Sequence, residues 1–362
     1  MDKYMQIADQ FLIEGTVKSL SVLGAGHIND SFVLRTVEND KPDYLLQRIN
    51  HHIFKDVEML QNNIFEVTSH IRRKLEEKGE SDIDRKVLTI TPAKDGNRYY
   101  FDGENYWRTY LFIAGGRSFD TINPDLACEA GKAFGDFQSY LADLPKPLGE
   151  TIPDFHNMEF RLEQFRQALS DNLAGRVKDH RDLIREIENR AEEMTLPNRL
   201  FREGKLPKRT NHCDTKVNNI LFDEEGSVLC VVDLDTVMPG FVLSDFGDFM
   251  RTGANTGAED DADLNRVTIN LDIFEGYTRG YAQKAKAFLL PIETENLAFG
   301  AKLLTYMQTV RFFTDYLNGD TYYKIHFPTH NLQRTKAQLK LLQDMEKHYE
   351  EMKAIVQENF GS

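Results

Sequence analysis

Alternating hydrophobic and polar positions characterise the first third of the chain and predict β-strands. Residues 17–23 alternate, a glycine-rich break follows at residues 24–26, and residues 31–37 alternate again. This pattern predicts a hairpin whose tip is rich in glycine. A third strand is expected at residues 44–49, after a turn of polar residues.

A helical period replaces this alternation between residues 55 and 78. The apolar side chains are spaced three or four residues apart and indicate one buried helix face: Val57, Leu60, Ile64, Val67, Ile71 and Leu75. Beyond this helix, residues 87–92 and 97–101 are expected to form a second hairpin. Residues 106–113 predict an aromatic strand, which a glycine pair follows.

From residue 123 onward the hydrophobic spacing is mostly helical. Helices are expected at residues 124–144 and 155–194 and again after residue 244, with a strand-rich island at residues 210–235. A β-rich part followed by a larger helical part predicts an α+β fold. We expect two domains, residues 1–115 and residues 116–362.

Charge and cysteine content narrow the classes of partner. The 44 Lys and Arg residues against 58 Asp and Glu residues give a formal net charge of −14, which repels nucleic acids and anionic membranes. Residues 1–14 lack the pattern of a signal peptide, and no apolar stretch is long enough to span a bilayer. The cysteines (Cys128, Cys213 and Cys230) match no metal spacing. Reduced thiols and a cytoplasmic location are therefore expected.

One stretch, residues 211–222, carries the strongest chemical signal. It reads Asn-His-Cys-Asp-Thr-Lys-Val-Asn-Asn-Ile-Leu-Phe, so that Asn219 follows Asp214 by five positions. An apolar run at residues 228–232 then ends at Asp233, 19 positions after Asp214. Each of these polar residues alone is more often a turn or capping residue. Their combination predicts a shared function.

Phosphoryl transfer explains this spacing. The reaction depends on positioning and charge neutralisation, since its transition state is loose. Asp214 is predicted to be the catalytic base that accepts the proton of the acceptor hydroxyl. Asn219 and Asp233 are predicted to bind Mg²⁺, which prefers oxygen ligands and bridges the nucleotide phosphates. The sequence therefore predicts a kinase that uses ATP.

Several segments together resemble the aminoglycoside phosphotransferase and choline kinase superfamily, and within it the N-acetylhexosamine 1-kinases. These are residues 26–32, 46–50, 115–120, 211–222 and 233–240. The resemblance implies a protein-kinase-like two-lobe fold, with a β-rich N-lobe, a larger helical C-lobe, and ATP and Mg²⁺ as cofactors. It also implies a sugar acceptor, N-acetylglucosamine or N-acetylgalactosamine, which is phosphorylated on its anomeric hydroxyl.

Five residues are expected to contact the nucleotide: Gly24, Gly26, Arg48, Trp107 and Tyr110. The glycine loop suits phosphate binding through backbone N–H groups, and the aromatic strand is the expected adenine hinge. The third strand lacks the lysine that protein kinases use for the phosphates, so Arg48 is the expected cation. Because side chains alternate along a strand, Arg48 and Gln47 lie on opposite faces of the third strand, and the sequence leaves open which face is turned towards the nucleotide. Glu58 is either a partner of Arg48 or a solvated helix residue.

Contacts to the sugar are implied for His27, Asn29 and Arg311. Arg311 interrupts the core spacing of a buried helix at residues 301–317. It is therefore either a pocket residue, as the resemblance implies, or a surface arginine with a buried stem. The tyrosine pair at residues 322–323 is a further candidate for an aromatic wall.

The tripeptide Asp-Phe-Gly at residues 245–247 spells the protein-kinase metal motif at a different position. Asp245 lies 31 residues after Asp214, whereas the 19-residue interval ends at Asp233. Asp245 is expected to cap a helix that begins near residue 244 and to hydrogen-bond the backbone of the catalytic loop, which is the role that the resemblance implies for this position. A structural role is therefore predicted for Asp245.

Two other functions remain open from the sequence. A kinase of choline, homoserine or an aminoglycoside would place carboxylates around its acceptor, and four are candidates: Asp235, Glu259, Asp260 and Asp261. A pseudokinase or sugar-binding regulator is favoured by the missing strand lysine and opposed by the intact set of Asp214, Asn219 and Asp233. The expected partners are a sugar and a nucleotide, and the expected state is a monomer or a weak homodimer.

Overall fold

The structure is a computed structural model that describes residues 2–23 and 29–361, and the chain divides into two compact units. The first unit comprises Met1–Ser118, Asp143–Pro153 and Ile220–Met238. The second comprises Phe119–Ala142, Asp154–Asn219 and Pro239–Ser362. The chain therefore passes between the units several times. The single domain boundary that the sequence suggested after residue 115 stays a prediction.

Helices and strands together confirm the predicted α+β class. The α-helices of the described residues are α1 (Asp2–Ala8), α2 (Val57–Glu77), α3 (Ile83–Lys86), α4 (Pro124–Leu141), α5 (Met158–Asp171), α6 (Arg181–Glu188), α7 (Ala191–Met194), α8 (Leu196–Arg202), α9 (Val242–Gly253), α10 (Leu271–Ala285), α11 (Pro291–Thr294), α12 (Leu297–Leu317), α13 (His330–Lys347) and α14 (Tyr349–Phe360). The strands are β1 (Val17–Val22), β2 (Asp30–Thr36), β3 (Tyr44–Ile49), β4 (Ile90–Thr91), β5 (Tyr100–Phe101), β6 (Tyr106–Leu111), β7 (Arg209–Asn211), β8 (Ile220–Phe222), β9 (Val228–Val231) and β10 (Met238–Gly240). Across the described residues, none of these helices combines the length and apolarity that a membrane crossing requires.

The first unit is built on an antiparallel sheet with the strand order β1-β2-β3-β6-β4, in which β5 also pairs with β6. The first three strands form where the alternation predicted them, although only β3 buries alternate side chains, while β2 buries four consecutive residues and β1 none. The predicted hairpin of residues 87–92 and 97–101 is wrong. The short strands β4 and β5 each pair with a different part of β6 and not with each other, since β6 is long enough to satisfy both.

Helix α2 belongs to the first unit and buries the apolar face that its sequence predicted. Leu60, Ile64 and Val67 are fully buried. The helix begins at Val57 because Asp56 caps it: Oδ1 of Asp56 accepts a hydrogen bond from the backbone N–H of Met59 at 2.8 Å. The 3.6-residue period therefore identified both the helix and its buried side.

The second unit is helical, and glycines allow its helices to approach closely. A Cβ atom on Gly247 of α9 would lie 2.0 Å from the carbonyl oxygen of Gly300 on α12. A Cβ atom on Gly280 of α10 would lie 1.9 Å from the carbonyl oxygen of Cys128 on α4. Only glycine permits backbone contacts this short. The first contact holds α9 against α12, and α9 carries two carboxylates of the site described below.

Candidate active site

The predicted catalytic loop lies in the second unit, between β7 and a short 3₁₀ turn at Val217–Asn219. Oδ1 of Asp214 lies 3.1 Å from the ammonium nitrogen of Lys216. Nδ2 of Asn219 donates hydrogen bonds to the main-chain oxygen of Asp214 at 2.8 Å and to its Oδ2 at 3.2 Å. The structure thus brings the predicted base into contact with one predicted metal ligand.

Helix α9 fixes the backbone of this loop through two buried carboxylates. Asp245 accepts hydrogen bonds from the backbone N–H groups of His212 at 2.9 Å and Cys213 at 2.8 Å. Asp248, one turn later, accepts a hydrogen bond from the backbone N–H of Thr215 at 3.0 Å. These contacts stabilise Cys213 at a φ of 64°, a left-handed conformation that costs a non-glycine residue about 1–2 kcal/mol. The predicted hydrogen bonding between Asp245 and the loop is confirmed.

The predicted capping role of Asp245 is wrong. Helix α9 begins at Val242, and Phe241 occupies the N-cap position. Val242 and Leu243 are fully buried, so apolar burial extends the helix backwards beyond the polar Ser244, which resembles a cap in the sequence. Asp245 therefore lies within the helix, and its carboxylate serves the loop.

Asp214 is ionised at neutral pH in this environment. Burial by itself raises the pKa of the Asp214 carboxyl, but the interactions with Lys216, His212 and Arg251 outweigh this effect. The pKa therefore lies below its ordinary value of 3.8. The negative charge of Asp214 in turn raises the pKa of Lys216. An ionised carboxylate is the form that accepts a proton from a hydroxyl.

Three basic side chains of the same unit, His156, Arg161 and Arg311, act electrostatically on one another. Burial, followed by the charges of Arg311 and Arg161, lowers the pKa of His156 to about 3, against an opposing contribution from Asp214. Burial, followed by the charge of Arg311, lowers the pKa of Arg161 to about 10. His156 is therefore neutral near pH 7, and its buried Nδ1 has no hydrogen-bond partner among the described residues.

Aromatic rings surround Arg311. Its guanidinium carbon lies 5.1 Å from the ring centre of Phe155, 5.9 Å from that of Tyr322 and 5.6 Å from that of Tyr323. These distances are typical of cation–π contacts. The structure therefore brings Arg311 together with both tyrosines, and the sugar contact that the sequence suggested for Arg311 stays a prediction.

Asp233 belongs to the first unit and follows the β8–β9 hairpin, as the apolar run suggested. It precedes the 3₁₀ turn Leu234–Thr236 and adopts a left-handed conformation with φ 60° and ψ 57°. Non-glycine residues keep this conformation only where the surroundings enforce it. The turn after Asp233 is therefore held by specific contacts, and the first of these involves Asp235.

Asp235 forms a buried ion pair with Arg108 on β6. Nη1 and Nη2 of Arg108 donate to the two carboxylate oxygens, Nη2 at 3.0 Å. The two side chains are only 2% and 4% exposed. Nε of Arg108 donates to Oε1 of Gln47 on β3 at 3.0 Å. Both terminal nitrogens and Nε of the guanidinium are thus engaged within the first unit.

The two faces of β3 separate Arg48 from this ion pair. Gln47 shares the face of Arg108, whereas the next residue, Arg48, points to the opposite face, where it pairs with Asp30 on β2. Glu58 is exposed in the first turn of α2, and Asp30 is the partner of Arg48 instead. The structure therefore leaves the nucleotide contact of Arg48 as a prediction and resolves Glu58 as a solvated helix residue.

The aromatic residues predicted at the nucleotide are both buried on β6. Trp107 is 2% exposed and packs against Tyr4 and Phe32. Tyr110 is also 2% exposed, with the guanidinium of Arg108 5.3 Å from its ring. Their side chains contribute to the core of the first unit, and a contact to adenine stays a prediction for each.

Only part of the predicted glycine loop lies within the residues that the structure describes. Gly24, Gly26 and His27 lie outside the residues that the structure describes. Asn29 is described and buried, and its Nδ2 donates to Oδ2 of Asp235 at 2.5 Å. Its Oδ1 accepts a hydrogen bond from the backbone N–H of Asn50 at 2.9 Å. Asn29 thus contacts the Asp235 turn, and its predicted sugar contact stays a prediction.

The four carboxylates considered for a cationic acceptor all contact a basic side chain. Asp235 pairs with Arg108 in the first unit. The others pair within the second unit: Glu259 with Arg251 at 2.5 Å, Asp260 with His330 at 2.7 Å, and Asp261 with Arg266 at 3.6 Å. Each of these carboxylates is therefore already engaged by a neighbouring side chain.

The sequence interpretation missed Lys216, Arg108, His156 and Arg161. A signal for Lys216 was present, since a lysine two positions after the proposed base lies inside the recognised motif. No local pattern distinguishes Arg108 within its strand. His156 and Arg161 are more than fifty residues from Asp214 in sequence, and only folding shows that Asp214 and Arg161 act electrostatically on His156.

Asn219 and Asp233, each within its own unit, carry oxygen donors of the kind that Mg²⁺ prefers, and their binding of the metal stays a prediction. Among residues 2–23 and 29–361, no group of three or more His, Cys, Asp or Glu side chains is arranged to hold a metal ion. Mg²⁺ in phosphoryl-transfer enzymes uses one or two carboxylates together with phosphate oxygens. Nδ2 of Asn219 donates to Asp214, so Oδ1 is the atom of Asn219 that is suited to a metal.

Comparisons with known proteins place these features in context. The model of the phosphotransferase enzyme family (APH) matches residues 19–282. Choline kinase from Cryptosporidium parvum aligns with a TM-score of 0.61 and 13% identity over 99% of this chain and 98% of that chain. An amicoumacin kinase in complex with AMP-PNP, Ca²⁺ and Ami aligns with a TM-score of 0.59 and 13% identity over 93% and 92%. A microcompartment-associated aminopropanol kinase aligns with a TM-score of 0.57 and 15% identity over 97% and 98%. These similarities confirm the predicted protein-kinase-like fold.

Proposed function

Because this chain belongs to the phosphotransferase enzyme family, we propose that it is a small-molecule kinase that transfers the γ-phosphoryl group of ATP with Mg²⁺ as cofactor. The proposed acceptor is the anomeric hydroxyl of N-acetylglucosamine or N-acetylgalactosamine, and the product is the sugar 1-phosphate. The similar amicoumacin kinase contains AMP-PNP and Ca²⁺, which supports a nucleotide and a divalent cation. A cytoplasmic location and a monomeric or weakly dimeric state belong to the same proposal.

Asp214 is the proposed catalytic base. Its carboxylate stays ionised because Lys216 and other positive charges outweigh the effect of burial. It therefore accepts a hydrogen bond from the acceptor hydroxyl and orients that oxygen for attack. An anomeric hydroxyl is more acidic than an ordinary alcohol, so a carboxylate is strong enough to receive its proton.

Lys216, Asn219 and Asp233 are the proposed residues for the phosphates and the metal. The ammonium group of Lys216 is held at Asp214, where it is suited to bind the transferred phosphoryl group. Asn219 and Asp233 are the proposed magnesium ligands, through an amide oxygen and a carboxylate. Magnesium, when bound, neutralises charge on the phosphates.

The observation that carries the choice of acceptor is the charge near Asp214. His156, Arg161 and Arg311 are the basic groups of the second unit that influence one another there. In the described part of the chain, Arg161 and Arg311 donate to carbonyl and amide oxygens but to no carboxylate. Asp154 partly offsets the charge of Arg161, but guanidinium groups with no hydrogen-bonded carboxylate still disfavour a cationic acceptor such as choline or an aminoglycoside.

A neutral acceptor rich in oxygen matches these groups. Sugar hydroxyls and an N-acetyl carbonyl accept hydrogen bonds from guanidinium groups, and the buried Nδ1 of His156 offers a further polar contact. The candidate carboxylates for a cationic acceptor are occupied by ion pairs, for example Glu259 with Arg251. The electrostatics of the second unit therefore favour a sugar over a cation.

A panel of acceptors tests this proposal. We expect ATP- and Mg²⁺-dependent release of ADP with N-acetylglucosamine or N-acetylgalactosamine, and little release with choline, ethanolamine, homoserine or an aminoglycoside. ³¹P NMR of the product should place the phosphate on the anomeric carbon. Faster turnover of a cationic acceptor would contradict the choice of a sugar. ATP binding without ADP release for any acceptor would favour a pseudokinase.

A further inference from the structure

The turn that follows Asp233 is anchored from both sides. Asp235 is gripped by Arg108, whose two terminal nitrogens bond the two carboxylate oxygens. Two residues later, the carbonyl oxygen of Val237 accepts a hydrogen bond from Nδ2 of Asn63 on α2 at 3.1 Å. Strand β9, on the other side, is paired with β8. The backbone between these anchors has little freedom.

The conformation of Asp233 requires such anchors. Its φ of 60° is unfavourable for a residue with a Cβ atom and relaxes unless neighbouring contacts prevent it. Asp235 provides one anchor: the residue is 3% exposed, and both of its carboxylate oxygens accept hydrogen bonds. A bidentate guanidinium–carboxylate pair fixes orientation as well as distance.

The charges of the Arg108–Asp235 pair argue against a direct contact of the pair with phosphate, metal or a cationic substrate. The guanidinium of Arg108 is matched by the carboxylate of Asp235, so the pair is close to neutral as a whole and attracts phosphate only weakly. Asp235 has both oxygens engaged, Oδ2 by Asn29 as well as Arg108. It is therefore neither a free metal ligand nor a free carboxylate for a cationic substrate. What remains for the pair is positioning.

Resting on the proposed function, we infer that Arg108 and Asp235 are positioning residues for the magnesium ligand Asp233. The ion pair ties the turn after β9 to strand β6 and thereby holds Asp233 in its left-handed conformation. Gln47 supports Arg108 from β3, where its Oε1 accepts a hydrogen bond from Nε of Arg108.

ATP binding with and without metal tests this assignment. Partners that orient a metal ligand typically contribute 10- to 100-fold to metal affinity. We expect Asp235→Asn to weaken ATP binding in Mg²⁺ by about 10- to 100-fold, measured by isothermal titration calorimetry, and to leave ATP binding in EDTA unchanged. Glu77→Gln is the matched control, since it removes an exposed ion pair with Arg73 on α2, and it should change neither affinity.

Loss of affinity by the same factor in Mg²⁺ and in EDTA would overturn the assignment, as would no loss at all. Asp233→Asn distinguishes the two proposals. If Asp233→Asn leaves the dependence on Mg²⁺ intact, the proposed magnesium site itself is wrong.

A double variant is the control for misfolding of Asp235→Asn. Arg108→Gln combined with Asp235→Asn removes both buried charges, an exchange that proteins often tolerate without loss of stability. Urea unfolding should show recovery of stability relative to Asp235→Asn, while the dependence of ATP binding on Mg²⁺ stays weakened. Recovery of both properties together would overturn the assignment, because it would show that the bidentate pair is needed only for folding.

Discussion

The ammonium group of Lys216 lies 3.1 Å from the Asp214 carboxylate, two residues away in the same loop. The backbone of this loop is hydrogen-bonded to Asp245 and Asp248 on α9. The pair therefore combines a base that is kept ionised with a cation in a fixed position. Phosphoryl transfer needs both, since the attacking hydroxyl loses a proton while negative charge spreads over the transferred group.

Replacing the proposed base should remove turnover and spare binding. We expect Asp214→Asn to lower the rate of ADP release by about 100-fold or more, the usual scale for a general base. ATP affinity in Mg²⁺ should change little, as measured by calorimetry. Asp182→Asn, at a side chain that is 94% exposed, is the control. Near-normal turnover of Asp214→Asn would exclude the proposed role.

The ion pair also predicts a change in pH dependence. Burial raises the pKa of the Asp214 carboxyl, and the charge of Lys216 is the largest influence that lowers it. Removing this charge in Lys216→Met should therefore raise the pKa of Asp214. A larger fraction of Asp214 is then protonated at any acidic pH. The acid limb of the kcat/KM profile should therefore move to higher pH, whereas Lys353→Met, at an exposed ion pair, should leave it in place. An unshifted limb in the Lys216 variant would contradict the argument.

Asp245 and Asp233 should differ in their effect on metal dependence. Asp245→Asn weakens the hydrogen bonds that hold the catalytic loop, so turnover should fall while the Mg²⁺ concentration for half-maximal activity is unchanged. Asp233→Asn removes a proposed ligand and should raise that concentration by at least about tenfold. Titration of activity with Mg²⁺ measures both. The reverse result would reassign the metal site to Asp245.

Arg311 should affect the acceptor and not the nucleotide. A hydrogen bond to a charged group contributes about 1.5–3 kcal/mol, so Arg311→Gln should raise the KM of the sugar by roughly 10- to 100-fold with little change in the KM of ATP. Arg185→Gln, at a side chain that is 70% exposed, is the control. Equal effects on both KM values would assign Arg311 to the fold instead of the acceptor.

The glycine contact between α9 and α12 predicts a large effect on stability. The added methyl group of Gly247→Ala meets a backbone oxygen at 2.0 Å, which forces the helices apart. We expect the free energy of unfolding to fall by about 1–3 kcal/mol or more, measured in urea. Ser170→Ala on the exposed side of α5 should change it by less than about 0.5 kcal/mol. A similar effect of both variants would show that the helices adjust freely.

Local patterns in the sequence determined the elements and the motif. Strand β3 has the bounds that alternation predicted, and α2 buries its predicted face. The spacing of Asp214 and Asn219 is equally local, and the structure joins the two through hydrogen bonds. Periods of two and 3.6 residues depend on neighbouring positions alone, so they are readable without the fold.

Only the tertiary structure decided which partners these elements bring together. Arg108 and Asp235 are 127 residues apart in sequence, and β4 and β5 could be assigned to β6 only once the sheet was formed. The face of β3 on which Arg48 lies, and the grouping of His156 with Arg161 and Arg311, depend on the fold in the same way. A buried charge is stable only if it is paired, so each such residue contacts a partner that the fold brings close. The separation of two residues along the sequence does not reveal which residues become such partners.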